Sequence, residues 1–245
     1  MKLALLDRAL ALAAAAIPVA LATELETGRQ ALVTGSLSDG DLPLSAEDLA
    51  GIRTALGGDR SGSMALSAGD VFVEIWSPPL RLVIIGAVHI AQALAPLATS
   101  AGYRVTIIDP RGAFATHERF AGVELIHDWP DDAIPTLVPD RRTALVALSH
   151  DPKIDDPALI AALASEAFYV GALGSRRSHA SRCSRLAATG VAPASIDRIH
   201  GPVGLAIGAQ SPVEIAIAIM AEITAVLRGG TLAADSGWYP SGRDD

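Results

Sequence analysis

Apolar and polar positions follow two different regimes along this chain, and the change falls near residue 77. Before it the apolar runs are short. Residues 3–16, alanine-rich and interrupted by Asp7 and Arg8, predict a helix. Val19 to Thr23 and Gln30 to Thr34 predict short strands around a Glu26-Thr27-Gly28 turn. Ser45-Ala-Glu-Asp-Leu reads as a helix start, with Ser45 as N-cap and Asp48 at the third position, and that helix is expected to stop at Gly57-Gly58. Asp70 to Ile75 alternates like a half-buried strand. Ser77-Pro-Pro-Leu80 then punctuates the chain; two prolines remove two ladder donors and stiffen it, which suits a linker.

From residue 80 the pattern becomes strand then helix, repeated, the signature of a parallel sheet covered on both faces. Strands are predicted at 82–85, 105–108, 123–126, 143–148 and 168–172, and helices at 88–101, 131–137, 156–165, 175–189 and 212–227. The last helix opens on Ser211-Pro-Val-Glu214, a capping box with proline at the first helical position. The expected fold class is therefore α/β: a Rossmann-like parallel-sheet domain over 80–228, preceded by a smaller N-terminal α/β domain over 1–77. Residues 229–245 lose apolar periodicity and are read as a flexible tail.

Composition narrows the function classes. Half of the 245 residues are hydrophobic, enough for a sizeable core, and the net charge of −8 argues against a general nucleic-acid binder. Cys183 is the single cysteine, so no intrachain disulfide can form, which fits a reducing compartment. Ala20-Leu-Ala22 mimics a signal-peptidase site, but Asp7, Arg8 and Pro18 break the apolar region. No run approaches the roughly 18–20 apolar residues of a membrane span. The expectation is a cytoplasmic protein with neither membrane nor nucleic-acid partner.

Candidate chemistry collects where strands are predicted to end, which is where open α/β sheets bind ligands. Leu82-Val-Ile-Ile85 leads into Gly86-Ala87-Val88-His89-Ile90-Ala91, and the next strand ends at Asp109, 23 residues after Gly86. That is the outline of a dinucleotide-binding βαβ unit, with Asp109 placed as the ribose-binding acid or, alternatively, as a cap or turn residue before Pro110. Arg111 can accompany a phosphate or pair with Asp109. Val88 stands where the fingerprint has its second glycine, so its branched side chain occupies the space a pyrophosphate would approach, and NAD(P) binding is expected to be weak. His150-Asp151 suggests a site pair, with helix capping by aspartate as the competing account.

In Gly171-Ala-Leu-Gly-Ser-Arg-Arg177, Gly171 and Gly174 permit a tight turn and Ser175 can cap the next helix. Arg176 and Arg177 then fall in the first helical turn, where cations oppose the helix dipole and a bound anion would reverse the penalty; the alternative is an ordinary solvated face. His179, Arg182 and Arg185 continue a basic stripe. Gly201-Pro-Val-Gly204-Leu-Ala-Ile-Gly208 adds a last glycine-rich segment. The histidines lack zinc-ligand spacing, and no nucleophile elbow or P-loop occurs.

Taken in order, Gly86-Ala-Val-His-Ile-Ala91, Val105-Thr-Ile-Ile-Asp-Pro-Arg111, His127-Asp-Trp-Pro130, Ser149-His-Asp-Pro-Lys153, Phe168-Tyr-Val-Gly-Ala-Leu-Gly-Ser-Arg-Arg177, Ile199-His-Gly-Pro-Val-Gly-Leu-Ala-Ile-Gly208 and Ser211-Pro-Val-Glu-Ile-Ala216 resemble the xanthine dehydrogenase accessory protein family, the XdhC/CoxI type. The resemblance implies a chaperone that binds molybdenum cofactor, as molybdopterin or its cytosine dinucleotide. It further implies that the chaperone protects the sulfurated form and delivers it to a molybdenum hydroxylase apoenzyme such as xanthine or carbon monoxide dehydrogenase. A homodimer is expected, with a cysteine desulfurase as a further candidate partner. Longer members carry a Ser-Gly-Gly-Cys type element in an N-terminal domain; the comparable stretch here, Gly57-Gly-Asp-Arg-Ser-Gly-Ser63, has no cysteine. The resulting expectation is cofactor handling without turnover, against an NAD(P)-dependent oxidoreductase and a nucleotide-sensing regulatory protein as alternatives.

Overall fold

The computed structural model describes residues 3–230; most of the tail assigned to 229–245 lies outside the described residues. The chain divides into two compact units, Met1–Pro78 and Pro79–Asp245.

The first unit is built on an antiparallel sheet in the order β3-β2-β1-β5-β4. Its strands are β1 (Val19–Glu24), β2 (Gln30–Val33), β3 (Ser38–Gly40), β4 (Gly62–Leu66) and β5 (Gly69–Trp76). Alternate residues of β1 supply both faces. Val19 and Leu21 join Leu5 and Ala9 of α1 (Leu3–Ala14), while Ala20 and Ala22 join Ile52 and Leu56 of α2 (Ala46–Gly57). Helix α2 begins as expected: Ser45 and Asp48 form a reciprocal capping box. Asp48 also accepts from the Ser67 backbone N–H and hydroxyl, which ties the helix to the β4–β5 turn. Strands β3 and β4 were not legible in the sequence; their residues are mostly exposed or half-buried, so no continuous apolar run marks them.

The second unit carries the site. Its strands are β6 (Leu80–Ile85), β7 (Tyr103–Ile108), β8 (Glu124–Ile126), β9 (Thr143–Ala147), β10 (Tyr169–Ala172) and β11 (Ile199–His200). They form one sheet in the order β11-β10-β9-β6-β7-β8, with every pairing parallel. Chain order runs outward in one direction from β6 to β8 and in the other from β9 to β11. The β6/β9 boundary is therefore the topological switch point of a doubly wound sheet.

The apolar runs that predicted these strands are continuous because both faces are buried. Leu82, Ile84, Val105, Ile107, Ala144 and Val146 pack against residues of α3 (His89–Ser100) and α8 (Pro212–Arg228). Val83, Ile85, Ile108, Leu145 and Ala147 pack against α4 (Pro130–Leu137) and α5 (Pro152–Leu163). Helix α6 (Arg176–Ala188) and the short α7 (Pro193–Ile196) join this second face through Leu186 and Ile196. The Ser211–Glu214 capping box and Pro212 at the first helical position are present at the start of α8, which ends at Gly229 with φ +62°.

One boundary differs from expectation, and the short elements α7 and β11 are additions to it. Helix α5 starts four residues before the expected Asp156, because Asp151 caps it and Pro152 occupies its first turn, while Pro157 is accommodated inside it. Strand β11 is only two residues long, too short for a sequence pattern.

Candidate functional site at the carboxyl edge of the parallel sheet

Strands β6 and β9 leave the sheet side by side, and their exits nearly touch. Gly86 turns at φ +101°, and its N–H donates to the Ile108 carbonyl at 2.8 Å. A Cβ there would stand 2.9 Å from the Cα, Cβ and N of Ser149, so this close approach requires glycine. Asp109, at the end of β7, is fully buried beside the same turn. Its Oδ2 accepts from the Ala87 N–H at 2.7 Å and from Arg111 Nη2 at 2.8 Å, and its Oδ1 accepts from the Arg111 N–H at 3.0 Å and Nε at 2.9 Å. Burial opposes ionisation of this carboxyl, but the Arg111 and Ala87 donors outweigh it and hold it below the usual carboxylate range. The Ala87 carbonyl is engaged as well, accepting from Arg119 Nη1 at 3.0 Å.

Ala87, Asp109 and Arg111 therefore form one bonded turn, and Gly86 is held beside it by the Ile108 carbonyl. Of the two readings of Asp109, its geometry is that of a clamp rather than an open ribose acceptor. Arg111 pairs with it while lying 4.8 Å from the Phe114 ring centroid. Val88 is the N-cap of α3 and makes no side-chain capping bond; half-buried, it packs on the core, with Ile90 beside it and His89 exposed.

The second assembly stands across the switch point. Strand β9 exits through Ser149-His150-Asp151, with His150 at φ +62°. Asp151 caps α5 by accepting from the Lys153 N–H at 3.0 Å. Asp155, one turn on, is 1% exposed; its Oδ1 accepts from the Ser149 hydroxyl at 2.6 Å and the Ser149 N–H at 3.2 Å. Strand β10 exits through Leu173-Gly174, with Gly174 at φ +145°, and Ser175 caps α6 by accepting from the Ser178 N–H at 3.1 Å. From the second turn of α6, Arg182 reaches back: its Nη2 donates to the Leu173 carbonyl at 2.9 Å and lies 3.8 Å from Asp155 Oδ2.

Asp155 Oδ2 and the Arg182 Nε and Nη1 are buried and have no hydrogen-bond partner. These two side chains line a cleft of about 320 Å³ together with His150, Arg177, Ser178, Ser181 and Arg185, among others. Arg185 is paired with Asp156 at 2.6 Å. Arg176 and Arg177 are exposed, and neither has a side-chain partner among the described residues. Burial pushes the Asp155 carboxyl above its ordinary value, against the pull of Ser149 and Arg182.

The remaining glycines have other work. Gly171 lies within β10 rather than in a turn: a Cβ would meet Val203 at 2.6 Å and the Tyr169 ring at 2.8 Å, so its lack of a side chain makes room for packing. Gly204, at φ +95°, donates its N–H to Glu222 Oε2 at 2.7 Å and sits against α8. The same carboxylate accepts from the Tyr169 hydroxyl at 2.5 Å and lies 3.2 Å from His200 Nδ1. Gly208, at φ +77°, is exposed.

The structure thus splits the candidate residues. His150 and Arg177 line the cleft, and Asp151, Gly174 and Ser175 shape the helix starts beside it. Ala87, Asp109 and Arg111 are bonded to one another, and Gly86 bonds to the Ile108 carbonyl next to them. Asp155, Ser178 and Ser181 were missed. The signal for the two serines is the helical spacing of 178, 181, 182 and 185, which puts hydroxyls and guanidinium groups on one face of α6; Asp155, on α5, has no such signal. No group of three or more His, Cys, Asp or Glu among the described residues is arranged to hold a metal. No helix among the described residues is long and apolar enough to cross a membrane.

Residues 82–223, more than half of the chain and all of this edge, match the family of XdhC Rossmann domains. The chain belongs to the XdhC family. Among XdhC relatives, the uncharacterised protein YqeB of Escherichia coli K12 is 33% identical over 190 residues, covering 76% of this chain and 35% of YqeB. A Bacillus subtilis protein named as a probable xanthine dehydrogenase subunit is 32% identical, covering 63% of this chain and 45% of the relative. The molybdenum cofactor insertion chaperone PaoD of Escherichia coli K12 is 32% identical, covering 61% of this chain and 41% of PaoD. The chain thus spans less than half the length of the curated relatives it matches. A crystal structure of a Bacillus halodurans protein described as a xanthine dehydrogenase superposes with a TM-score of 0.71 at 25% identity, over 92% of this chain and 67% of that one.

Proposed function

We propose that this XdhC-family chain binds molybdenum cofactor, as molybdopterin or its cytosine dinucleotide, at the carboxyl edge of its parallel sheet and passes it to a molybdenum hydroxylase apoenzyme. The observation that carries the reading is the coincidence of two features: similarity to the insertion chaperone PaoD over 149 residues, and a polar edge with arginines at a helix start. A phosphorylated pterin is anionic, and helix-start amides with guanidinium groups favour an anion. The pairing of Asp109 with Arg111 and Ala87 lends no support to nicotinamide dinucleotide binding, since the acid that would take the ribose already has four donors. Handover needs only a cofactor affinity that falls when the apoenzyme docks, a coupling of two binding free energies. Sulfuration of the cargo and a cytoplasmic location belong to the same proposal.

The test is reconstitution of a cofactor-free molybdenum hydroxylase at limiting sulfurated cofactor, with and without this chain. Faster or fuller recovery of hydroxylase activity in its presence is expected. Equal recovery without it, at every cofactor concentration, removes the proposal for that apoenzyme. Nicotinamide-dependent turnover by the chain alone would replace it with the oxidoreductase reading.

A further inference from the structure

A buried arginine normally has its N–H groups engaged, because leaving them unpaired away from water costs as much as a lost hydrogen bond or more. Arg182 breaks that rule. It is 4% exposed, it donates to one carbonyl, and its Nε and Nη1 have no partner. Its neighbouring acid stands at 3.8 Å, beyond hydrogen-bond reach, and the Asp155 Oδ2 facing it is itself unpartnered. An ion pair built only for stability would close this gap, as Arg111 and Asp109 do at 2.8 Å in the same unit.

What lines the same cleft defines the missing group. Arg177 presents a guanidinium with no partner among the described residues, Ser178 and Ser181 add hydroxyls from the first two turns of α6, and His150 lines the cleft from the β9 exit. Arg185 has its charge balanced by Asp156, and Asp155 is the one carboxylate in the lining. Burial pushes that carboxyl above its ordinary value, and the Arg177 and Arg182 guanidinium groups outnumber it. Positive charge is therefore in excess. It sits at the N-terminal end of a 13-residue helix, where cations alone are unfavourable and an anion is favourable. The volume, about 320 Å³, lies at the small end for ligand pockets and suits one compact polar group rather than a whole dinucleotide.

We infer that the cleft between α5 and α6 is a phosphate subsite, with Arg182 donating from its buried side, Arg177 closing over its open side, and the Ser178 and Ser181 hydroxyls between them. The inference rests on the cofactor-handling reading only for which molecule brings the phosphate, a pterin phosphate or a free phosphate compound. The subsite itself follows from the lining.

The experiment titrates the full chain with inorganic phosphate and with pyrophosphate, followed by calorimetry and by 31P line broadening. Three variants are compared: Arg177→Gln, Arg182→Lys and, as an exposed arginine of β7 outside the cleft, Arg104→Gln. Saturable binding is expected in the parent chain and in R104Q, about 10- to 100-fold weaker in R182K and weakened in R177Q. Arg182 also holds the Leu173 carbonyl, so R182K is checked by thermal unfolding; Arg177 is exposed and bonds to none of the described residues, so R177Q keeps the test valid if R182K unfolds. Phosphate that fails to bind the parent chain, or that binds R177Q and R182K as it binds the parent, overturns the subsite. Arginine-dependent phosphate binding with no help to hydroxylase reconstitution keeps the subsite and removes the cofactor reading. Reconstitution without phosphate binding does the reverse.

Discussion

Asp109 and Asp155 are both fully buried, both follow a strand at the same edge of the parallel sheet, and both stand beside an arginine, yet they are treated in opposite ways. Asp109 receives four hydrogen bonds, and its carboxyl is held below the ordinary range despite its burial. Asp155 keeps one oxygen unpartnered at 3.8 Å from its arginine, and burial pushes it up. A carboxylate saturated by protein donors is part of the scaffold. A carboxylate and an arginine left open to a cleft are positioned for something that arrives. The difference separates the turn that resembles a dinucleotide site from the cleft that has free polar groups.

Four outcomes test that contrast. The largest effect is expected for Asp109→Ala, which orphans the Ala87 N–H and takes from Arg111 its hydrogen-bonded carboxylate; it should cost about 3–5 kcal/mol in urea unfolding. A loss below about 1 kcal/mol would mean that Asp109 is not the clamp. Next, Gly86→Ala should cost about 2–3 kcal/mol, since the new Cβ meets the Ser149 backbone and the φ of +101° disfavours a side chain.

The third outcome concerns sign. At about pH 7, Asp109→Asn should destabilise, whereas Asp155→Asn, which imitates the form that burial favours, should stabilise by about 1 kcal/mol or less. The pH dependence follows from linkage. Asp109 has a folded pKa below its ordinary 3.8, so its contribution is present above 3.8 and lost as pH falls through the folded value. Asp155 has a folded pKa above 3.8, so its contribution is fully present below 3.8 and lost as pH rises through the folded value. Unfolding free energies measured across this range should show the Asp155→Asn advantage closing as pH falls toward 3.8, and the Asp109→Asn deficit closing only below it. Two curves of the same sign would erase the contrast.

The smallest effect is expected for Val88→Gly. Removing the branched side chain opens the fingerprint position, but the Ala87 amide and Asp109 remain engaged, so NAD affinity should change by less than about tenfold in calorimetry. A gain to micromolar binding would show that valine alone had closed a working dinucleotide site.

Much of this was readable before any coordinates. The buried strands β6, β7, β9 and β10 announce themselves because a strand covered on both faces must be apolar at every position. The capping boxes at Ser45 and Ser211 are local chemistry, and local chemistry is written in adjacent residues. Strands β3, β4 and β11 escaped because their residues are exposed, half-buried or too few to carry a period. At the site, spacing placed Asp109, Arg111, His150 and Arg177 near strand ends but could not say what each one touches. Asp109 has the place of a ligand acid and is bonded to protein; Asp155 stands just ahead of the predicted 156–165 helix, carries no motif, and lines a cleft.

The α/β class, the order of the buried strands and of the long helices, and the edge at which polar residues gather are legible in the residue order, because periodicity, capping and strand ends are properties of short windows; the family is legible in its ordered motifs. Which polar groups are already partnered is set by packing between segments far apart in the chain. Hydrogen-bond satisfaction at Asp109 joins Ala87 to Arg111 across two strands, and the open pair joins α5 to α6 through Asp155 and Arg182, 27 positions apart in the chain. Such pairings depend on where the sheet brings distant backbone together, and no local pattern encodes that.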